Sequence, residues 1–270
     1  MKLANLDSRV VLVQNPTGKT AAGLNLALTK SKNDVIVRVD GHAEIPSNYL
    51  SLVIEILRQT GAVNVGGLMA AQGVTPFEMA VATAMRSPFG VGASKFHTGG
   101  EAGEVDTVYL GAFIRSALVA AGGFDERFIR AQDWELNLRL RKNGGKIYFD
   151  PRLYVTYRPR PTVRKLALQY FEYGRWRRVV SRRHTGTINY RYLAPPLTLI
   201  GTATSLLLGL ALSPILVIPA AVYTLFVLAG AAKISRSLRE FLTLLLVLPT
   251  MHFSWGLGFI TSPRSIVPRD

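Results

Sequence analysis

The chain has 270 residues and no cysteine, which excludes a disulfide framework, a thiolate metal site and a cysteine nucleophile, and leaves any metal to Asp, Glu or His. Thirty-two Lys and Arg against 17 Asp and Glu give a net charge of +15, yet mean hydropathy is +0.22. A chain both basic and apolar, with room for one mid-sized α/β domain and something extra, points first to a membrane protein.

In chain order, residues 1–155 alternate short apolar runs with helical patterns. Arg9–Gln14 reads as a buried strand, Thr20–Ser31 as a helix, Asp34–Val39 as a second strand and Pro46–Thr60 as a helix with an apolar stripe at Leu50, Val53, Ile54 and Leu57. Ala62–Met69 is a third strand candidate, and such alternation predicts βαβ units with a mainly parallel sheet. Ligands of open parallel sheets bind outside the carboxyl ends of the strands. Asp40 ends the second strand, and Asp40 and His42, two residues apart, form a candidate metal pair. An Asp closing a strand into a turn is also common without any function.

Asn15-Pro-Thr-Gly-Lys-Thr20 ends like a phosphate-binding loop but has Val13 where that motif needs glycine. Lys19 and the following helix N-terminus remain a candidate phosphate contact beside the plain reading as a turn. Asp133 opens a helix that runs to Gly144-Gly145, a position where an acid is favourable whatever its function.

Charge is concentrated. Residues 152–191 carry 11 basic groups and one acid, whereas residues 1–151 carry 16 and 14. Basic and aromatic residues interleave over Tyr170–Arg178, a pattern that suits anionic lipid headgroups before a membrane better than it suits nucleic acid. Tyr192–Ala232 then holds 41 residues without a charge, twice the length of a bilayer crossing, with a turn expected at Ser213-Pro214. Phe241–Pro263 can form a third span, giving helices at about 192–212, 214–232 and 241–261 and a tail at 263–270. The basic flanks before Tyr192 and at Lys233–Arg239 place the head on the cytoplasmic side of a cell membrane.

Taken in order, Asn15–Asn25, Arg38-Val-Asp-Gly-His-Ala-Glu-Ile-Pro46, Val105–Phe113 and Gly122-Gly-Phe-Asp-Glu through Gln132-Asp-Trp-Glu135 resemble the family 2 glycosyltransferases. The resemblance covers about residues 5–185 and is nearest to the enzymes of succinoglycan biosynthesis. It implies an α/β GT-A-like head over 1–155, a basic juxtamembrane segment over 156–191, and transfer of a hexose, glucose foremost, from a nucleotide diphosphate sugar to a lipid-linked or polysaccharide acceptor. Position by position, Asp40 would contact a divalent cation, Mn²⁺ or Mg²⁺, and the sugar diphosphate, with His42 replacing the second Asp of the family's pair. Asp133 would be the general base, Lys19 and Arg175 diphosphate contacts, and Trp134 and Trp176 acceptor contacts. The same resemblance implies an additional first βα unit, which this sequence is expected to lack. A polyprenyl-phosphate sugar transferase and a non-catalytic relative are the alternatives.

Overall fold

The computed structural model describes residues 6–41 and 43–268. His42 lies outside the described residues. The chain divides into two units, one of residues 1–40, 46–67 and 101–153, the other of 41–45, 68–100 and 154–270.

The elements run α1 (Thr20–Lys30), β1 (Val35–Val37), α2 (Tyr49–Thr60), β2 (Asn64–Ala71), α3 (Pro76–Met85), two single-turn helices α4 (Pro88–Val91) and α5 (Lys95–Thr98), β3 (Gly103–Glu104), β4 (Tyr109–Ile114), α6 (Arg115–Ala120), α7 (Gln132–Lys142) and β5 (Ile147–Tyr157). Four long elements follow: α8 (Val163–Arg183), α9 (Tyr190–Ala211), α10 (Ile218–Ile234, entered through a 3₁₀ turn at Pro214–Val217) and α11 (Leu238–Thr261). The strand order is β1-β4-β2-β5-β3.

Two sequence expectations change here. The sheet is mixed rather than mainly parallel: β1 and β2 both pair antiparallel with β4, and β3 pairs antiparallel with β5. Helical linkers predict parallel neighbours only when the strands they join lie side by side, and here β4 inserts between β1 and β2. Arg9–Gln14 forms no strand. A strand is made by pairing, its backbone has no sheet partner among the described residues, and Val10, Val11 and Leu12 stay exposed. In α2 the stripe is rotated: Leu50 is 54% exposed, whereas Tyr49, Val53, Ile56 and Leu57 are buried.

Within the first unit, a buried polar chain joins β2 to α7. Asn64 Nδ2 donates to Asn137 Oδ1 (2.7 Å), and Asn137 Nδ2 donates to Thr107 Oγ1 (2.9 Å). Removing the middle link strands a buried amide, so Asn137→Ala is expected to cost about 1–3 kcal/mol, read as a lowered thermal midpoint.

In the second unit, three helical segments are long and apolar enough to cross a membrane: Tyr190–Ala211, Pro214–Ile234 and Leu238–Thr261. They match the three expected spans. The basic helix α8 lies directly on α11. A Cβ on Gly174 would meet Trp255 O at 1.9 Å, and one on Gly258 would meet Phe171 O at 1.9 Å, so the two backbones touch where only glycine fits. Gly258→Leu is therefore expected to force these helices apart and cost about 1–3 kcal/mol, measured as a loss of thermal stability in detergent.

Candidate active site

The site residues of the first unit are organised by a side chain that the sequence analysis passed over. Arg38 follows β1, and its backbone N–H extends the sheet by donating to Gly111 O (3.2 Å). Residues two apart on an extended strand point to the same side, so Arg38 and Asp40 share one face. The guanidinium is 8% exposed; Nε donates to Asp40 Oδ1 at 2.8 Å and Nη2 to Asp40 Oδ2 at 3.3 Å, while Nη1 donates to Asp133 Oδ1. Two carboxylates separated by 93 positions in sequence thus converge on one buried cation. The signal was the R-x-D spacing at a strand end.

Asp133 reaches this point from the first turn of α7, with Trp134 half-buried beside it. The start of α7 is fixed by an extensive brace. Glu135 is buried and accepts from Arg139 Nε (2.8 Å) and Nη2 (2.7 Å); Arg139 also donates to Gly123 O (2.8 Å) and to Ala121 O. From the other side, Asn25 of α1 clamps the same Gly122-Gly-Phe-Asp-Glu turn. Its Nδ2 donates to Phe124 O (2.8 Å) and Glu126 Oε1 (2.9 Å), and its Oδ1 accepts from Phe124 N (2.9 Å). Gly123, at φ +68°, has no room for a Cβ against Asn25. All four sequence motifs therefore meet in one framework, and its output is the position of Asp133.

Ala131, which precedes α7, has φ +59°, a left-handed conformation that costs a non-glycine residue about 1–2 kcal/mol. Ala131→Gly is expected to raise the thermal midpoint, and Ala131→Val to lower it.

Electrostatics favour a proton acceptor at Asp133. Although 41% of its side chain is exposed, crowding by protein desolvates the carboxylate and raises its pKa; Arg38 pulls it down and the charge of Asp40 pushes it up, and the net shift is upward. A raised carboxylate pKa makes a stronger base.

The remaining expected residues belong to other elements. The turn around Lys19 is closed on itself: Gly18 N–H donates to Asn15 O (3.2 Å), Lys19 N–H to Thr17 Oγ1 (3.2 Å), and Asn15 Nδ2 to Lys19 O (2.9 Å). Two backbone donors of the turn are spent, whereas the first N–H groups of α1 have no side-chain cap, so the candidate phosphate contact comprises those groups and the Lys19 side chain. Arg175 and Trp176 belong to the second unit and both bond Glu172, Arg175 through Nη1 (3.3 Å) and Trp176 through Nε1 (3.1 Å). Trp176 is only 5% exposed, which leaves little ring face for a sugar. The neighbouring basic groups are likewise turned inward: Arg177 lies 3.5 Å over the Tyr192 ring and Arg182 donates to Ser262 O (2.8 Å).

Among the described residues, no three His, Asp or Glu side chains cluster as a ready-made metal site. The hard carboxylate oxygens of Asp40 nevertheless suit a divalent cation, and His42, the other expected ligand, lies outside the described residues.

Residues 1–119 match the family model described as Glycosyl transferase family 2. The chain is 32% identical over 196 residues to the succinoglycan biosynthesis protein ExoA of Rhizobium meliloti, which covers 72% of this chain and 59% of that protein. It thus spans about three-fifths of that relative's length. It is also 38% identical over 72 residues, 27% of this chain and 22% of the relative, to a Methanococcus voltae protein named as a dolichyl N-acetyl-α-D-glucosaminyl phosphate 3-β-D-2,3-diacetamido-2,3-dideoxy-β-D-glucuronosyltransferase. In structure it is similar to a mannosyltransferase of Pyrobaculum calidifontis solved with GDP-mannose and Mn²⁺, with TM-score 0.55 and 15% identity over 97% of this chain and 72% of that one. Sequence and fold agree: residues 1–119 match the glycosyltransferase family 2 model, and the chain has a GT-A-like fold.

Proposed function

We propose that this protein is a membrane-embedded, inverting glycosyltransferase that moves a hexose, glucose foremost, from a nucleotide diphosphate sugar to a lipid-linked or polysaccharide acceptor at the cytoplasmic face of a cell membrane. The observation that carries the reading is the convergence of Asp40 and Asp133 on Arg38, within a domain matching family 2. The three apolar helices support membrane embedding, and the printed names of the relatives, one in succinoglycan biosynthesis and one acting on a dolichyl phosphate-linked sugar, support a glycan acceptor of this kind.

In this mechanism Asp133 accepts the proton of the acceptor hydroxyl as that oxygen bonds to the anomeric carbon. The bond from that carbon to the diphosphate oxygen breaks, its electron pair leaves with the nucleoside diphosphate, and attack from the opposite side inverts the configuration. Arg38 orients both carboxylates and opposes the rise that burial imposes on the Asp133 pKa. Asp40 would hold a divalent cation with the sugar diphosphate; when bound, such a cation offsets charge on the departing diphosphate. Lys19 and the first N–H groups of α1 are the candidates for the diphosphate in this unit.

Calorimetric titration of UDP- and GDP-sugars into the detergent-solubilised chain with Mn²⁺ tests the binding half of the proposal. Saturable binding that is weakened at least tenfold in Asp40→Asn is expected. A folded protein that binds no nucleotide sugar would instead favour a non-catalytic relative.

A further inference from the structure

Two cavities of the second unit lie end to end and share Pro76 and Arg239. The larger, about 570 Å³, is polar at its rim, where Arg86, Arg236 and Arg239 line it together with Glu240. The smaller, about 450 Å³, is an apolar groove along α11, lined by Phe77, Leu242 and Leu246. Neither contains any residue of the Asp40–Arg38–Asp133 cluster.

The charges of the larger cavity are uncompensated. Glu240 is already engaged, accepting from Thr83 Oγ1 (2.6 Å) and from the backbone N–H of Arg236 (2.8 Å). Among the described residues, none of the three guanidinium groups has a carboxylate within ion-pair distance. Three cations against one anion leave a surplus of two positive charges around a concave space. This surplus sits at the first turn of a helix long and apolar enough to cross a membrane, and the apolar groove runs from it toward the middle of that helix. A charged hollow beside an apolar groove along a helix of this kind has the polarity profile of a phospholipid.

We propose that these cavities bind one anionic phospholipid of the surrounding bilayer, with headgroup phosphates among Arg86, Arg236 and Arg239 and an acyl chain along Phe77, Leu242 and Leu246. Charge complementarity selects the occupant, because two surplus positive charges match a headgroup with two phosphates and gain nothing from a zwitterionic one. Arginine suits the role, since its planar fork bonds phosphate oxygens in pairs. The inference rests on the membrane reading above but not on the catalytic one.

The test is native mass spectrometry of the delipidated, detergent-purified full chain titrated with cardiolipin, phosphatidylcholine, polyprenyl phosphate or inorganic phosphate. One cardiolipin is expected to bind at least tenfold more tightly than phosphatidylcholine. The triple variant R86Q/R236Q/R239Q should lose at least tenfold of that affinity, and R86K/R236K/R239K should recover most of it while melting like the wild type. Equal binding of phosphatidylcholine, or an unchanged Gln variant, would overturn the site. Inorganic phosphate binding as tightly as cardiolipin would make it a free-anion site, and tighter binding of polyprenyl phosphate would make it an acceptor site; either result also overturns the proposal. Resistance of the chain to alkaline carbonate extraction separates the two levels. Its loss in the wild type would fail the membrane reading, whereas a failed lipid site leaves it intact.

Discussion

Asp133→Asn is expected to lower the rate of sugar transfer by about 10²–10⁴-fold while leaving the fold and the affinity for donor nearly unchanged. The two side chains have the same shape, and Asn Oδ1 can still accept from Arg38 Nη1, so the cluster stays assembled. What disappears is the basic lone pair. Asp133→Glu keeps the charge but displaces the carboxylate from a position fixed by the Glu135–Arg139 brace, and should recover only part of the rate. Acceptor-dependent release of nucleoside diphosphate by wild type and both variants, with each melting curve recorded, checks the prediction. A rate near wild type in Asp133→Asn would remove Asp133 from the chemistry.

Arg38→Gln should change the pH dependence as well as the rate. Asp133 titrates above the ordinary carboxylate value because burial raises it, and Arg38 limits that rise. Activity requires the ionised form. The wild-type rate should therefore fall as pH drops through a pKa above the usual carboxylate range, and removing the guanidinium should move this acid limb to still higher pH. The sign for stability is opposite. A raised folded-state pKa means that ionised Asp133 disfavours folding, so its contribution to stability is present in acid and is lost as pH rises through the folded pKa. Loss of Arg38 enlarges this penalty and exposes two carboxylates to each other, at a cost of about 1–3 kcal/mol near neutrality, lessened by their partial exposure. An acid limb that stays in place in Arg38→Gln would mean that the limb reports a group other than Asp133.

Much of the molecule was legible because its signals are local. Helical periodicity marked α1, α2 and α7 within a few residues, and uncharged length marked three helices long and apolar enough to cross a membrane. Strand pairing is not local, so the sequence could not reveal that β4 inserts between β1 and β2, nor that the apolar run Val10–Leu12 is left without a sheet partner. The same limit hid Arg38. Its role depends on Asp133, 95 positions away, arriving at the same strand end. The basic block is divided: Arg177 lies over an aromatic ring and Arg182 donates to a carbonyl within the second unit, whereas Arg158, Arg160, Arg164 and Lys165 are exposed, a split that counting charges could not reveal.

The central claim is that a single carboxylate, Asp133, directs an inverting transfer from a nucleotide sugar. The most direct test incubates the reconstituted chain with α-linked nucleotide sugars and membrane acceptor, then determines the anomeric configuration of the product by proton NMR coupling. A β-linked product, formed by the wild type and at least about a hundredfold more slowly by Asp133→Asn, is the predicted result. An α-linked product, or a β-linked one formed equally by the variant, would contradict the account.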